Sequence, residues 1–404
     1  MIHVGDMKIG PEEKAAINAV LDSGHISEGK NVKQFEREFA EKIGVRHSIA
    51  VSSGTSALIA GLLALIYSGK IKKGSSVITT PVTYISTVSA IVLAGLKPVF
   101  ADIEPGTLNI GPDQIEEAIK REGADKCSLI LPVHLMGYPC DMIKINEIAA
   151  KYGLLVFEDA AQAHGTKING VNVGNFSILA DYSFYIAHNI QVGEMGAVTT
   201  NDTALARLVR QIKANGRVCD CLVCTRNDGI CPHEPKDERD MDPRFTHNLI
   251  GYNFKTMEFT AALGLLQLKR FDEIMEKRRD NIAAINTVLK KYEDVFRLPE
   301  YMENVSYLAY PLVIKKSAKI SRRTLRIKLA KNNVESRPLF GCIPTQQPAY
   351  EYLKGGYEGK LPEAEFIGTN GFYIGCHQYI EKEDIKIIEA AFDEIGRASC
   401  RERV

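Results

Sequence analysis

The sequence predicts an α/β fold, in which helices cover both faces of a mostly parallel sheet and a smaller α+β domain follows. Short apolar runs typical of buried strands alternate with helical stretches over roughly 200 residues, as in parallel-sheet proteins. From about residue 280 to residue 393 the pattern changes to shorter mixed elements. We therefore expect a large domain over residues 1–270 and a small C-terminal domain over residues 271–393.

The individual elements follow from periodicity and from helix boundary signals. Helical spacing of apolar residues, closed by Gly24, predicts a first helix from Pro11 to Ser23. Further helices are predicted at 32–43 and 57–67, and one long amphipathic helix at 256–279. Strands are predicted at residues 48–51, 77–80, 98–101, 128–131, 154–158, 179–184 and 197–199.

Composition excludes several classes of function. The chain has 404 residues, of which 45% are hydrophobic, enough for one large or two moderate domains. Its 50 Lys and Arg balance 50 Asp and Glu, so neither nucleic acid nor an anionic membrane is an expected partner. No apolar run approaches the roughly 20 residues of a membrane helix, and the start does not read as a signal peptide. We expect a cytoplasmic protein.

The last segment, residues 394–404, differs in character from the rest of the chain. It reads like translated adapter DNA joined to a truncated gene, although an ordinary basic tail is the alternative. We expect a non-native tail and leave it out of the functional argument.

A polar turn between two apolar runs carries His188 and Glu194 as its acid–base side chains. The turn follows a predicted buried strand, a position where α/β enzymes keep reactive groups. An imidazole with a reference pKa of about 6.5 can take or give a proton near neutral pH. A histidine that only caps an element is the alternative, and the neighbouring motifs favour the catalytic interpretation.

Two other segments supply groups that suit one cofactor. The turn at residues 52–56 joins a strand to a helix, and its N–H groups and hydroxyls suit a phosphate, although such a turn can merely cap the helix. Asp159 ends another strand, where a protonated pyridine nitrogen would partner its carboxylate. Gln162 could reach a ring hydroxyl, and Tyr84 could stack on a flat heterocycle. Together these features describe a pyridoxal-phosphate pocket.

Over nearly all of residues 1–393 the chain resembles the nucleotide-sugar aminotransferases, a family of fold-type-I pyridoxal-phosphate enzymes. The matching stretches are residues 52–58, 98–102, 132–137, 158–165, 183–185 and 251–255. The resemblance implies that Asp159 holds the pyridine nitrogen, that Gln162 holds the ring hydroxyl, and that four residues hold the phosphate: Gly54, Thr55, Ser56 and Ser183. Asn253 would reach the phosphate of the neighbouring subunit's site, which implies a homodimer with a shared active site.

One departure changes the reaction that this resemblance implies. Aminotransferases of the family carry a lysine at the position of His188, but no lysine occurs between Lys167 and Lys213. Transamination would lack its covalent anchor and proton shuttle. The chain resembles instead the histidine-containing branch, the NDP-4-keto-6-deoxyhexose 3-dehydratases. Residues 335–350 look like the sugar-binding segment of that branch, and Arg337 is the candidate for a sugar or diphosphate contact.

Four cysteines form a C-x-C-x2-C-x6-C cluster: Cys219, Cys221, Cys224 and Cys231. Four thiolates in one loop suit an iron–sulfur cluster or a structural zinc, and unligated cysteines are a third interpretation. Iron–sulfur members of the branch carry cysteines after an equivalent Gly-Arg pair, which Cys219 and Cys221 match. The later spacing differs, and Ala161 stands where such members can have a cysteine. The resemblance implies a [2Fe–2S] cluster, with zinc as the open alternative.

We therefore expect a dehydratase that uses pyridoxamine 5′-phosphate or pyridoxal 5′-phosphate to remove the C3 hydroxyl of an NDP-4-keto-6-deoxyhexose. His188 would take a proton from the cofactor's C4′ carbon, and a partner reductase would supply electrons through the cluster. The product would feed 3,6-dideoxy sugar synthesis for lipopolysaccharide or another surface polysaccharide. Three alternatives stay open: a cluster-free dehydratase that regenerates its cofactor with glutamate, an aminotransferase whose lysine comes from elsewhere, and a non-catalytic regulator that binds cofactor or sugar nucleotide.

Overall fold

The computed structural model describes residues 1–219 and 242–401. Helices and strands alternate along the chain as the sequence pattern predicts, and the described strands form sheets of seven, four and two strands. The helices are α1 (Pro11–Asp22), α2 (Lys30–Ile43), α3 (Gly54–Tyr67), α4 (Ile85–Leu93), α5 (Pro112–Glu122), α6 (Met142–Tyr152), α7 (Thr203–Lys213), α8 (Glu258–Lys269), α9 (Phe271–Leu289), α10 (Arg322–Lys331), α11 (Ile343–Gln346), α12 (Pro362–Asn370) and α13 (Lys382–Arg401). The strands are β1 (His47–Val51), β2 (Ser76–Thr79), β3 (Lys97–Phe100), β4 (Cys127–Leu131), β5 (Leu155–Asp159), β6 (Lys167–Ile168), β7 (Val171–Asn172), β8 (Leu179–Ser183), β9 (Gly196–Thr200), β10 (Phe296–Arg297), β11 (Tyr310–Ile314), β12 (Ser336–Pro338) and β13 (Gly371–Ile374).

The large sheet has seven strands in the order β1-β9-β8-β5-β4-β2-β3. Strands β3, β2, β4, β5 and β8 run parallel, whereas β9 is antiparallel to both of its neighbours. The central strands are buried along nearly their whole length, as expected when helices cover both faces. The prediction of a mostly parallel sheet is confirmed, and each predicted strand lies within one or two residues of an observed one.

The smaller sheet is antiparallel, with the order β10-β11-β13-β12. Aromatic side chains on its strands, such as Phe296 and Phe372, pack against Ile282 of α9 and Phe392 of α13 in one buried cluster. A smaller α+β segment after residue 280 is therefore confirmed. A domain boundary at residue 270 stays a prediction.

The long helix predicted for residues 256–279 is wrong, because the structure has two helices there, α8 and α9. Arg270 separates them with φ −97° and ψ 9°, outside helical geometry. Its guanidinium donates to Glu13 of α1 at 2.8 Å and also to Glu12. The apolar period continues across the junction, so the sequence pattern alone carried no signal for the break.

None of the helices in the described part of the chain has both the length and the apolar character that a membrane crossing requires.

Candidate active site

A cavity of about 520 Å³ opens where β5 and β8 end. Its walls come from the loop into α3, the turn after β8, the start of α4 and the small sheet. The carboxyl ends of parallel strands are the usual ligand site of an α/β sheet, so the cavity lies where the sequence analysis placed the reactive groups. Eight of the predicted site residues line it: Gly54, Thr55, Tyr84, Asp159, Gln162, Ser183, His188 and Arg337.

The loop into α3 has the geometry of an anion site. Ser53 caps the helix, because its hydroxyl accepts a hydrogen bond from the Ser56 N–H at 3.1 Å. A Cβ on Gly54 would lie only 2.7 Å from the Cβ of Ser183, so glycine is needed for the loop to approach the end of β8. Free N–H groups of the first helical turn and the Ser183 hydroxyl therefore meet at one wall of the cavity.

Ser56 lies behind this wall. Its hydroxyl is within hydrogen-bond distance of the Ser52 and Ser53 hydroxyls, at 2.8 and 2.9 Å. Ser56 thus holds the loop in shape, and its direct contact with a phosphate stays a prediction.

Asp159 lies at the floor of the cavity and is only 4% exposed. Its carboxylate accepts hydrogen bonds from the Thr87 hydroxyl at 2.8 Å and from the Ala161 N–H at 3.2 Å. Burial raises the pKa of Asp159, although these two hydrogen bonds oppose the rise. A cationic ring nitrogen beside it would compensate the buried charge.

Gln162 is fixed in an orientation that leaves a donor free for a ligand. Its Oε1 accepts the Met136 N–H at 2.9 Å, so its Nε2 amide can donate to a hydroxyl or phenolate oxygen. The fixed orientation suits the ring-hydroxyl contact predicted for Gln162.

His188 has a defined tautomer. Its Nδ1 lies 2.9 Å from the Ser183 carbonyl oxygen, and since a carbonyl only accepts, Nδ1 carries the proton. Nε2 therefore keeps its lone pair. Burial is the main cause that lowers the pKa of His188 to about 4. The hydrogen bond to Ser183 opposes this shift, and the Arg278 cation adds to it. The imidazole is a neutral base at neutral pH.

Arg278 of α9 holds the turn that carries His188, and the sequence analysis did not identify this residue. The side chain is fully buried and donates to the carbonyl oxygen of His188 at 3.0 Å. The same guanidinium donates to the carbonyl oxygens of Leu308 at 2.9 Å and Tyr307 at 3.2 Å. Arg278 thereby ties α9 and the segment before β11 to the catalytic turn.

Tyr84 and Arg337 complete the cavity from opposite sides. Tyr84 precedes α4, is 57% exposed, and packs edge-on against Phe340 with ring centroids 5.8 Å apart. Arg337 comes from β12, and its Nε donates to Glu335 at 2.9 Å. The guanidinium also interacts with Tyr373 and lines the cavity, so it can meet a ligand that enters between the two sheets.

Asn253 lies away from this cavity, in a basic surface cleft with Lys213, Arg217, Lys255 and Cys219. Asn253 is exposed in the single chain. Exposure is what we expect of a residue that acts in the site of a neighbouring subunit. That role stays a prediction.

The predicted cysteine cluster falls mainly outside the described residues, because Cys221, Cys224 and Cys231 lie between residues 219 and 242. Cys219 is partly buried at the edge of the basic cleft. Within residues 1–219 and 242–401, no three His, Cys, Asp or Glu side chains form a group that could hold a metal ion. The metal site stays a prediction.

Asp181 lines the cavity, and the sequence analysis did not identify it. It stands in the apolar run of β8, two residues before Ser183. Strand alternation places residues 181 and 183 on the same face, and this spacing was the available signal.

The fold and the cavity define an aminotransferase-like enzyme of fold type I. Residues 7–392 match the DegT/DnrJ/EryC1/StrS aminotransferase family, and the chain belongs to that family.

Relatives with different activities are similar to this chain. It is 30% identical over 378 residues to the GDP-4-keto-6-deoxy-D-mannose 3-dehydratase of Yersinia pseudotuberculosis, covering 93% of this chain and 94% of the relative. It is 32% identical over 391 residues to the GDP-perosamine synthase of Escherichia coli O157:H7, covering 95% of each. A solved structure of the E. coli GDP-4-keto-6-deoxy-D-mannose 3-dehydratase with bound hydrated PLP superposes with a TM-score of 0.85, at 26% identity, over 97% of this chain and 99% of that one.

Proposed function

We propose that the protein is a pyridoxamine-phosphate-dependent 3-dehydratase of an NDP-4-keto-6-deoxyhexose. The observation that carries the proposal is His188, a neutral imidazole with a free Nε2 lone pair that lines the cavity. Family aminotransferases have a lysine at this position. The Yersinia relative, named as such a dehydratase, supports the same reaction.

The residues of the cavity fit pyridoxamine phosphate or pyridoxal phosphate. The α3 loop and Ser183 would hold the phosphate, Asp159 the ring nitrogen and Gln162 the ring hydroxyl. Tyr84 is free to cover one face of the ring. When bound, the cofactor supplies an amine for the sugar ketone and a ring that accepts electrons.

Each cavity residue then has one task. His188 Nε2 would serve as the base for a proton of the bound cofactor and, once charged, as the acid for the departing C3 hydroxyl. Asp159 keeps the ring nitrogen protonated because its carboxylate is buried beside it. Arg337 binds the sugar or its diphosphate through its guanidinium, which lines the cavity.

An aminotransferase is the second candidate, and the E. coli perosamine synthase relative favours it. Such a reaction needs a lysine that reaches the cofactor. The turn offers His188 in that position, and the nearest lysines in the sequence are Lys167 and Lys213. Lys213 is engaged elsewhere, because its ammonium donates to Glu28 at 2.7 Å and to the Ala50 carbonyl at 2.8 Å.

We also propose that the cysteine cluster holds [2Fe–2S] and receives electrons from a reductase, in a cytoplasmic homodimer. The basis is the spacing of Cys219, Cys221, Cys224 and Cys231. A serine at Cys221 removes a soft thiolate that iron prefers. The Cys221→Ser variant should lose iron and visible absorbance, while pyridoxamine phosphate still binds because His188 and Asp159 are unchanged.

The measurement is iron, zinc and acid-labile sulfide in anaerobically purified protein, with Cys127→Ser as a control. Cys127 lies on β4 and is not part of the C-x-C-x2-C-x6-C motif, so its variant should keep the iron. One zinc per chain without sulfide would contradict electron transfer and leave a cluster-free dehydratase as the better assignment.

A further inference from the structure

Asp181 lies beside Asp159 on the cavity floor, and the function proposed above does not use it. The two residues are register partners in the parallel pairing of β5 with β8. Register partners extend from the same face of a sheet, and neighbouring strands lie about 4.8 Å apart. Both residues line the cavity, so it contains two adjacent carboxyl groups.

Asp181 has no hydrogen-bond partner for either carboxyl oxygen, although its side chain is fully buried. Asp159 differs, because Thr87 and Ala161 donate to it. A buried carboxylate without a donor is costly, and it is retained only where something compensates it. Asp181 therefore points to a ligand that brings positive charge or a donor.

The remaining surroundings of Asp181 do not supply that compensation. On β9 its register partner is Val198, and α3 contributes Leu58 to the cavity wall. The other titratable side chains of the cavity are Tyr84, Tyr185, His188, Glu194, Arg337 and Tyr373. Burial and then the neighbouring Asp159 carboxylate raise the pKa of Asp181 well above its usual value.

We propose that Asp181 and Asp159 form a two-carboxyl site for a cationic aromatic nitrogen, such as the ring nitrogen of pyridoxamine phosphate. Without a ligand the pair holds one proton, since two adjacent buried carboxylates do not both ionise. A ring that arrives neutral receives this proton, and a ring that arrives protonated releases it to solvent. The inference rests on the cofactor of the proposed function and is independent of whether the sugar is dehydrated or aminated.

The test compares cofactor-free protein with its Asp181→Asn variant. The amide keeps the size of the side chain but removes the second negative charge. Pyridoxamine phosphate should bind the variant about tenfold more weakly at pH 7.5, the size expected for one hydrogen bond to a charged group. Asp159→Asn should weaken binding in the same direction. The readout is a fluorescence or absorbance titration with pyridoxamine phosphate alone.

Thermal unfolding gives a second readout: the substitution that weakens cofactor binding should raise the melting temperature of the cofactor-free protein. A raised pKa means that the protonated carboxyl stabilises the folded state at low pH, and this stability is lost as pH rises from about 3.8 towards the folded-state pKa. Asparagine suffers no such loss. Cofactor-free Asp181→Asn should therefore melt above the parent at pH 7.5, and the difference should shrink towards pH 4.

Asp102→Asn is the control for a half-buried carboxyl outside the cavity. Asp102 lies outside the cavity and accepts the N–H groups of Ala364 at 2.9 Å and Glu363 at 3.1 Å at the start of α12. Its variant should bind pyridoxamine phosphate like the parent. If Asp181→Asn does not fold, Asp181→Ala replaces it with the same expected directions.

Equal affinity of the parent and the Asp181 variant for pyridoxamine phosphate would overturn the inference, and so would a lower melting temperature of that variant at pH 7.5. Neither result bears on the dehydration reaction, because no sugar is present. Failure of this inference and failure of the proposed function are therefore distinguishable.

Discussion

His188 owes its chemistry to one backbone contact. Because Nδ1 donates to the Ser183 carbonyl, the tautomer with a free Nε2 is selected. Ser183 itself lies at the wall formed with Gly54. The residue predicted to hold the phosphate and the residue predicted to move the proton are thus fixed relative to each other.

Substitution of His188 by lysine should convert the site towards that of an aminotransferase. We expect His188→Lys to bind pyridoxal phosphate covalently, because a primary amine then occupies the family's lysine position. Dehydration should fall to background, since the imidazole base is gone. Absorption spectra, together with borohydride reduction and mass analysis of the labelled peptide, measure the attachment.

His188→Gln is the control, and it should show neither covalent attachment nor dehydration. Undiminished dehydration by His188→Lys would contradict the assignment of His188 as the base.

The residues of the site differ in how far the sequence revealed them. Asp159, Gln162 and His188 stand in polar segments at strand ends, where side-chain chemistry is readable from the pattern. Asp181 lies in a run of buried residues. It was missed because the strand was predicted from the apolar residues around it, and its own charge was not considered. Arg278 was missed because it stands in a charged stretch of α9 that reads as a solvated helix face, yet it is fully buried.

At the scale of elements, helix α9 supports the turn that carries His188. Arg278 reaches from this helix to the carbonyl oxygens of His188, Tyr307 and Leu308. The break at Arg270 separates α9 from α8 and was not predictable from periodicity. By contrast, the strand positions were predictable, because buried parallel strands are continuous apolar runs bounded by polar turns.

Arg278→Lys should loosen the catalytic turn while leaving the cofactor contacts in place. A lysine ammonium lacks the planar fork that serves three carbonyl oxygens at once. We expect the free energy of unfolding to fall by about 1–3 kcal/mol, the cost of unsatisfied buried polar groups. Turnover should fall, while the affinity for pyridoxamine phosphate stays near that of the parent.

Chemical denaturation and cofactor titration measure these two effects. Arg279→Lys, on the same helix but less buried, is the control and should change neither quantity. If Arg278→Lys unfolds like Arg279→Lys, the supporting role of Arg278 is wrong.

At the scale of the whole molecule, both sheets build the cavity. The large sheet supplies Asp159 and Ser183, and the small sheet supplies Arg337 and Tyr373. The N-terminal segment joins them, because Ile2 pairs with Val334, and Gly5 lies so close to Ala187 that a Cβ would sit 2.4 Å from its Cα. A sequence pattern predicts each element separately, but such long-range contacts arise only when the chain folds.

This shared construction of the cavity suits a large, two-part substrate such as a nucleotide sugar. The cofactor groups lie on the large-sheet side, and the candidate sugar or diphosphate contact, Arg337, lies on the small-sheet side. The central claim is that 3-dehydration of the sugar takes place in this cavity between the two sheets.

Product analysis tests that claim most directly. The protein would be purified anaerobically and supplied with pyridoxamine phosphate and with GDP- or CDP-linked 4-keto-6-deoxyhexose. The products would be identified by mass spectrometry with a chemical reductant in place of the reductase, with glutamate, and with neither. We predict a sugar that has lost its C3 hydroxyl and has gained no nitrogen. A 4-amino sugar that retains the C3 hydroxyl, formed once per pyridoxamine phosphate without glutamate and repeatedly with it, would contradict the account.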